Sequence, residues 1–336
     1  MTNAPIPDSD SLGPTIDPDE ITAAANRIGS HVSRTALFRS DPLSERHGAE
    51  IYIKAEHLQD TGSFKVRGSA NKVHALPADV AANGVVTASS GNHGIGVATA
   101  AASRGIAATI FLPASASQAK VDLIRRLGAE IVSVDGTDAA LAEAAAREHV
   151  AKTGLAYISP YNDAEVAAGQ GTIGKEILED LDSVDAIVVA VGGGGLMSGI
   201  ASWVKAKSPD TLIIGASALN DRAMAASVAA GEIITPHFEP TFSDGTAGGI
   251  EDDSITFPIC QNLVDEWVDI TERDIALAVT AMVDDHHQLV EGSAGVAIAA
   301  ATQHAAKQPG ATIVAVSCGS NVTAAALRSM LAEANA

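Results

Sequence analysis

Short β-branched runs alternate along this chain with alanine-rich stretches of helical length, and that alternation constrains the fold more than any other feature. Residues 84–88, 107–112, 130–134, 185–191, 212–217 and 312–317 read as strands, as does the shorter run 50–54. Residues 94–104, 119–127, 138–152 and 196–205 read as helices. Strands alternating with helices of about 10–15 residues imply βαβ units and a mostly parallel sheet. The strands are continuous apolar runs, the pattern of strands covered on both faces. Alanine supplies about one residue in five, above ordinary usage, and its small side chain lets helices sit close to a sheet.

Charge removes several function classes. The chain of 336 residues carries 41 acidic against 21 basic side chains, a formal charge of −20. Such an excess repels phosphate backbones, so no nucleic-acid partner is expected. No apolar run reaches about 18 residues, so no membrane span is expected. Cys260 and Cys318 lack the spacing of a disulfide framework or a metal site and read as reduced thiols of a cytoplasmic protein. Residues 1–17 hold three prolines and several acids. With no basic start and no apolar core they read as a loose arm, not a signal peptide. Residues 237–257 form the longest irregular stretch, and a loop of that length in a compact domain is usually functional or mobile.

The turn from Gly192 to Gly195 lies between a buried strand and a helix. Four glycines are entropically costly, so something must approach the backbone closely. Free N–H groups and the helix dipole make such a turn an anion site; a tight strand–helix turn needs only one or two glycines. A P-loop would require a Lys that is absent here. Counting a dinucleotide fingerprint from Gly193 and Gly195 places Ser198 where the third glycine should stand. A small phosphorylated cofactor remains.

Two further segments carry candidate chemistry. Lys65 follows Ser63, which reads as a helix N-cap, and so falls in the first helical turn, where the dipole disfavours a cation. A desolvated lysine loses pKa and becomes an amine nucleophile; the competing reading is a surface lysine with a snorkelling stem. Ser89, Ser90, Asn92 and His93 surround another helix start, an arrangement suited to a carboxylate, although simple capping needs only one of them. His286 and His287 lie beside Asp284 and Asp285 on a predicted helix. They read as a polar helix face, because no spaced third ligand accompanies them. Trp203 and Trp267 read as core or interface.

The segments Ser63-Phe64-Lys65-Val66-Arg67-Gly68, Ser89-Ser90-Gly91-Asn92-His93-Gly94, Gly192 to Leu196, and Ser317-Cys318-Gly319-Ser320-Asn321 occur in this order. Together with Ala168-Gly169-Gln170-Gly171-Thr172 and Glu291-Gly292-Ser293-Ala294-Gly295, they resemble the pyridoxal-phosphate-dependent serine/threonine dehydratase family of fold type II. The resemblance spans roughly residues 20–330, and six motifs in order are far more specific than one.

The resemblance implies an α/β fold with two open, twisted, mostly parallel sheets flanked by helices. Pyridoxal 5′-phosphate would lie between a large domain (residues 1–80 and 158–336) and a small substrate-gating domain (81–157). It implies that Lys65 carries the cofactor as a Schiff base, with Phe64 against the ring and Asn92 on the ring hydroxyl. Gly192, Gly193, Gly194, Gly195 and Leu196 would cradle the phosphate. Gly245 and Glu291 would border the cofactor, and Cys318 would face the pyridine nitrogen. Ser89, Ser90, Asn92 and His93 would hold the substrate carboxylate, and Ser90 would double as an acid/base on the opposite face.

A neutral thiol beside the nitrogen makes the ring a milder electron sink than an Asp would. The implied reaction removes water from a β-hydroxy amino acid such as L-threonine or L-serine, leaving a 2-keto acid and ammonia. The implied assembly is a homodimer with a small amino-acid substrate. The alternatives are 3-hydroxyaspartate dehydration, serine racemase-like activity and, in a different class, a non-catalytic binder of the cofactor or of amino acids.

Departures from the family narrow these expectations. Metal-dependent members carry acids where Ser217 and Ala223 stand, and Asp221 alone cannot make a cation site, so no metal is expected. Racemase-like members place an Arg in the helix after Asp138 that Ala140, Leu141 and Ala142 do not supply. No C-terminal regulatory domain is expected beyond Ala336. The sequence Asp244-Gly245-Thr246-Ala247-Gly248-Gly249 is similar to a branch of the family linked to hydroxyectoine breakdown.

Overall fold

The computed structural model describes residues 13–116, 118–136 and 139–336. Most of the expected N-terminal arm, and the first residue of the helix expected from Asp138, lie outside the described residues. Ten strands are described: β1 Leu37–Arg39, β2 Glu50–Lys54, β3 Val85–Ala88, β4 Ala108–Pro113, β5 Glu130–Val134, β6 Ala156–Tyr157, β7 Ala186–Ala190, β8 Leu212–Ala218, β9 Glu266–Ile270 and β10 Thr312–Val316. They form a six-stranded sheet of order β1-β2-β10-β7-β8-β9 and a four-stranded sheet of order β5-β4-β3-β6. Every pairing is parallel except β1 with β2.

The apolar runs explain this layout. All five residues of β7 are buried, as in a strand covered on both faces. The short strands β1, β6 and β9 escaped the sequence reading. Glu266–Ile270 interleaves two acids with Trp267, Val268 and Ile270, a half-covered edge and not an apolar run. The helix Ala164–Asp180, the longest described, also went unread as a helix. Its capping residue, Asp163, accepts from the Val166 N–H at 3.0 Å, and its three glycines mask the helical signal.

Those glycines set the packing. A Cβ on Gly171 would lie 2.9 Å from the Gly199 carbonyl, and one on Gly199 would run into the Ala167 carbonyl. On the adjacent helix, Lys65–Ala75, a Cβ on Gly68 would lie 2.6 Å from the Val166 carbonyl. The helix Ala164–Asp180 thus meets each of these two neighbours, the helices of Gly199 and Gly68, backbone to backbone.

A buried ion cluster ties two of these helices, Lys65–Ala75 and Ala164–Asp180, to β2. Arg67 donates to both Glu56 oxygens at 2.8 Å, and to Glu176 at 2.7 and 2.9 Å. The fully buried Lys54 completes the cluster on Glu176 at 2.6 Å. Burial works against the Glu56 carboxylate, but the Arg67 pairing outweighs it and holds its pKa below the ordinary range. Two carboxylates balanced by two cations leave no unpaired buried charge. Trp203 is in the core, and Trp267 packs its ring over Gly215.

Candidate active site

Lys65 is the first residue of the helix Lys65–Ala75. The expected cap by Ser63 is not formed: Phe64 takes the cap position with no side-chain bond, and the Ser63 hydroxyl is buried without a partner. Ser63 instead pairs through its backbone with Gly319, and the Phe64 N–H donates to the Cys318 carbonyl at 3.1 Å. The segment leaving β10 therefore fixes the start of the lysine helix. The Lys65 amine donates to the Pro160 carbonyl at 2.8 Å. Burial pushes its pKa down to about 8, so a fraction of the amine is neutral at ordinary pH.

The glycine turn runs from the end of β7 to the helix Gly195–Lys207, with Gly194 left-handed at φ +85°. A Cβ on Gly193 would lie 2.5 Å from the Tyr161 ring, and one on Gly192 would lie 2.8 Å from the Thr246 carbonyl. The close approach expected at these glycines is thus made from one side by protein. The turn also lines a cavity.

The second helix start, Asn92–Arg104, faces the same cavity. Ser89 Oγ accepts from the Gly91 N–H at 3.2 Å. The Asn92 amide donates to the Glu291 carboxylate at 2.9 and 3.1 Å and accepts from Asn321 at 2.7 Å. His93 Nε2 bonds the Ile158 carbonyl at 2.9 Å, and burial lowers its pKa to about 3. The ring is therefore neutral and presents no cation to a carboxylate. Glu291 also accepts from the Asn321 N–H at 3.2 Å, and burial raises its pKa to about 7. Burial raises the Cys318 thiol as well, so that side chain stays protonated and uncharged.

Every residue expected from the sequence to hold the cofactor or the substrate lines this one cavity of about 360 Å³, a volume in the range of small-molecule sites. An amine of lowered pKa and two uncapped helix starts face a common space. That donor set fits pyridoxal 5′-phosphate: the amine suits its aldehyde, and the glycine turn suits its phosphate. Lys120, Pro160 and Tyr161 also line the cavity and were not found by sequence reasoning, whereas Ser293 lay inside a recognised motif without a role of its own. Lys120 stands among ordinary surface residues of an amphipathic helix, and Tyr161 follows a two-residue strand, so neither carried a signal. Asn321 was inside a recognised motif, but its bonds to Asn92 and the Thr61 carbonyl were not foreseen.

Asp244–Gly249, from the long irregular stretch, form one side of the cavity. Asp221 accepts from the Gly248 N–H at 2.9 Å and so holds this loop. His286 contacts Ser40 at 2.8 Å, whereas His287 closes its helix in the left-handed conformation. Among the described residues no group of three potential ligands surrounds a metal position.

Fold and site together define an enzyme class built around an amine-bearing cofactor pocket in a fold of two mostly parallel sheets. The family described as pyridoxal-phosphate dependent enzyme matches residues 28–319, and the chain belongs to it. Pyridoxal phosphate is accordingly its cofactor. The chain is 42% identical to an L-threonine ammonia-lyase of Thermotoga maritima over 84% of its length and 70% of that relative. It is 38% identical to a serine racemase of Arabidopsis thaliana over 83% of its length and 84% of that relative. Among solved structures, the processed form of threonine deaminase isoform 2 from Solanum lycopersicum superposes with a TM-score of 0.91. It is 34% identical, and the match covers 100% of this chain and 97% of that one.

Proposed function

We propose that this chain is an ammonia-lyase that removes water from a small β-hydroxy amino acid, L-threonine or L-serine, and releases a 2-keto acid and ammonia. One observation carries the reading: the Lys65 amine and two helix starts face one cavity. One start suits the cofactor phosphate and the other the substrate carboxylate. Bound pyridoxal 5′-phosphate supplies the electron sink that makes the Cα proton of an attached amino acid removable.

Lys65 supplies the base, because burial leaves part of its amine unprotonated near neutral pH. Ser89, Ser90 and the N–H groups that open the helix Asn92–Arg104 hold the substrate carboxylate. Glu291 and Asn321 hold the Asn92 amide in place, where it would meet the ring hydroxyl of the bound cofactor. The uncharged Cys318 thiol places no anion beside the ring nitrogen, which favours prompt loss of the β-hydroxyl over a long-lived carbanion.

Elimination is favoured over racemisation because of the helix Ala139–Thr153. Its arginine, Arg147, is engaged with Glu143 at 3.0 Å and with Glu251 at 2.8 Å. Lys120 on the cavity wall favours a second reading, a substrate with an additional carboxylate such as 3-hydroxyaspartate. The proposal includes a division of labour. Residues 81–157 gate the substrate and carry Ser89–His93, while residues 1–80 and 158–336 hold the cofactor. It also includes a cytoplasmic homodimer, which light scattering tests.

The deciding experiment incubates the loaded protein with L-serine, L-threonine and 3-hydroxyaspartate and measures keto acid, ammonia and the chirality of recovered substrate. Keto acid from L-threonine or L-serine, abolished in Lys65→Ala, is expected. Inverted substrate without keto acid would make the protein a racemase, and neither product would make it a binder.

A further inference from the structure

The glycine turn is held from behind by the helix Thr256–Leu263. Thr256 Oγ1 donates to the Gly193 carbonyl at 2.6 Å and is itself in contact with Ser254 Oγ at 2.7 Å. Thr256 is fully buried, and its Cβ lies 3.1 Å from where a Cβ on Gly194 would stand. One turn further along, Cys260 contacts the same glycine from below: its thiol lies 4.0 Å from the Gly194 carbonyl.

The hydroxyl bond has a directional consequence. The Gly193 carbonyl and the Gly194 N–H belong to one peptide plane, so pinning the oxygen on Thr256 fixes the opposite N–H as well. The Thr256 side lies behind the turn, so the N–H points the other way, toward the cavity that Gly194 and Gly195 line. A four-glycine turn has little intrinsic preference for any one peptide orientation, and the threonine supplies the missing constraint.

We infer that Thr256 is a positioning residue for the anion turn: it sets the Gly193–Gly194 peptide so that the turn's N–H groups converge on the cofactor phosphate. The inference rests on the proposed role of Gly192–Gly195 as the phosphate cradle. It concerns affinity for the phosphate and leaves the Lys65 end of the cavity untouched.

The test compares pyridoxal 5′-phosphate with pyridoxal, which has the aldehyde but no phosphate. Both are titrated into cofactor-free protein, and binding is read from visible absorbance. Thr256→Val, which keeps the shape and removes the hydroxyl, is expected to weaken pyridoxal 5′-phosphate binding about tenfold, the usual effect of one lost buried hydrogen bond. Pyridoxal binding is expected to stay unchanged, and Thr256→Ser to restore phosphate affinity. Equal weakening for both ligands in Thr256→Val would reduce the residue to general packing and overturn the inference, as would unchanged affinity for the phosphorylated ligand. If the unsubstituted protein binds both ligands equally, the phosphate cradle itself is wrong, and the inference falls with it.

Discussion

At the scale of single residues, the chemistry turns on what burial does to Lys65. Its amine should titrate near 8 in place of the ordinary lysine value. Because the neutral form reacts, acetic anhydride should modify Lys65 in cofactor-free protein at a rate that rises with pH and levels off above about 9. Peptide mass spectrometry reads that rate; a midpoint in the ordinary lysine range would remove the desolvation argument. The sequence placed Lys65 in a first helical turn and left it between nucleophile and surface lysine. Burial decides between these, and it is supplied by segments distant in sequence: Pro160 lies 95 positions from Lys65 and Cys318 much farther still. His93 shows the converse. Its position in the motif suggested a carboxylate contact, whereas its neutral ring is bonded to the Ile158 carbonyl. Tyr161 was invisible for a related reason: its ring explains the glycine at position 193, but only the folded chain brings the two together.

At the scale of elements, the helices Ala164–Asp180 and Gly195–Lys207 approach closely enough that their glycines leave no room for a methyl group. Two effects compete in Gly199→Ala. Replacing a mid-helix glycine gains about 1 kcal/mol of helix propensity. The new methyl, however, meets the Ala167 carbonyl, a backbone atom that cannot rotate away. Overpacking of this kind costs about 1–3 kcal/mol, so the clash should win. Denaturant unfolding is expected to show a less stable protein, and a stability gain would mean that the helices can separate. The central strands β7, β8 and β10 were legible because apolar runs covered on both faces leave a plain pattern. The helix Ala164–Asp180 was not, because glycines that permit close packing also weaken its intrinsic helical signal. The length of the loop 237–257 suggests a functional or mobile segment and the resemblance puts Gly245 near the cofactor; Asp244–Gly249 border the cavity.

At the scale of the whole molecule, a protein of charge −20 must admit an anionic cofactor. Attraction at the helix starts is local, whereas repulsion by the surface acts at long range. Added salt shortens that range to about 8 Å at physiological ionic strength. The association rate of pyridoxal 5′-phosphate should therefore rise as potassium chloride is increased from about 10 mM to about 300 mM. A rate that falls with salt in stopped-flow measurements would mean that the cavity's own field, with Lys120 at its wall, governs entry. The sheet order has a separate consequence, for synthesis. β10 lies between β2 and β7, although it is the last strand in sequence. A ribosome adds about 5–20 residues per second, so the nascent chain waits on the order of ten seconds between finishing β7 and finishing β10. Throughout that interval β2 and β7 each expose an unpaired edge, and Lys65 has no Cys318 segment to dock against. Exposed edges recruit other strands, so each newborn copy depends on being shielded from its neighbours until nearly its whole length has emerged.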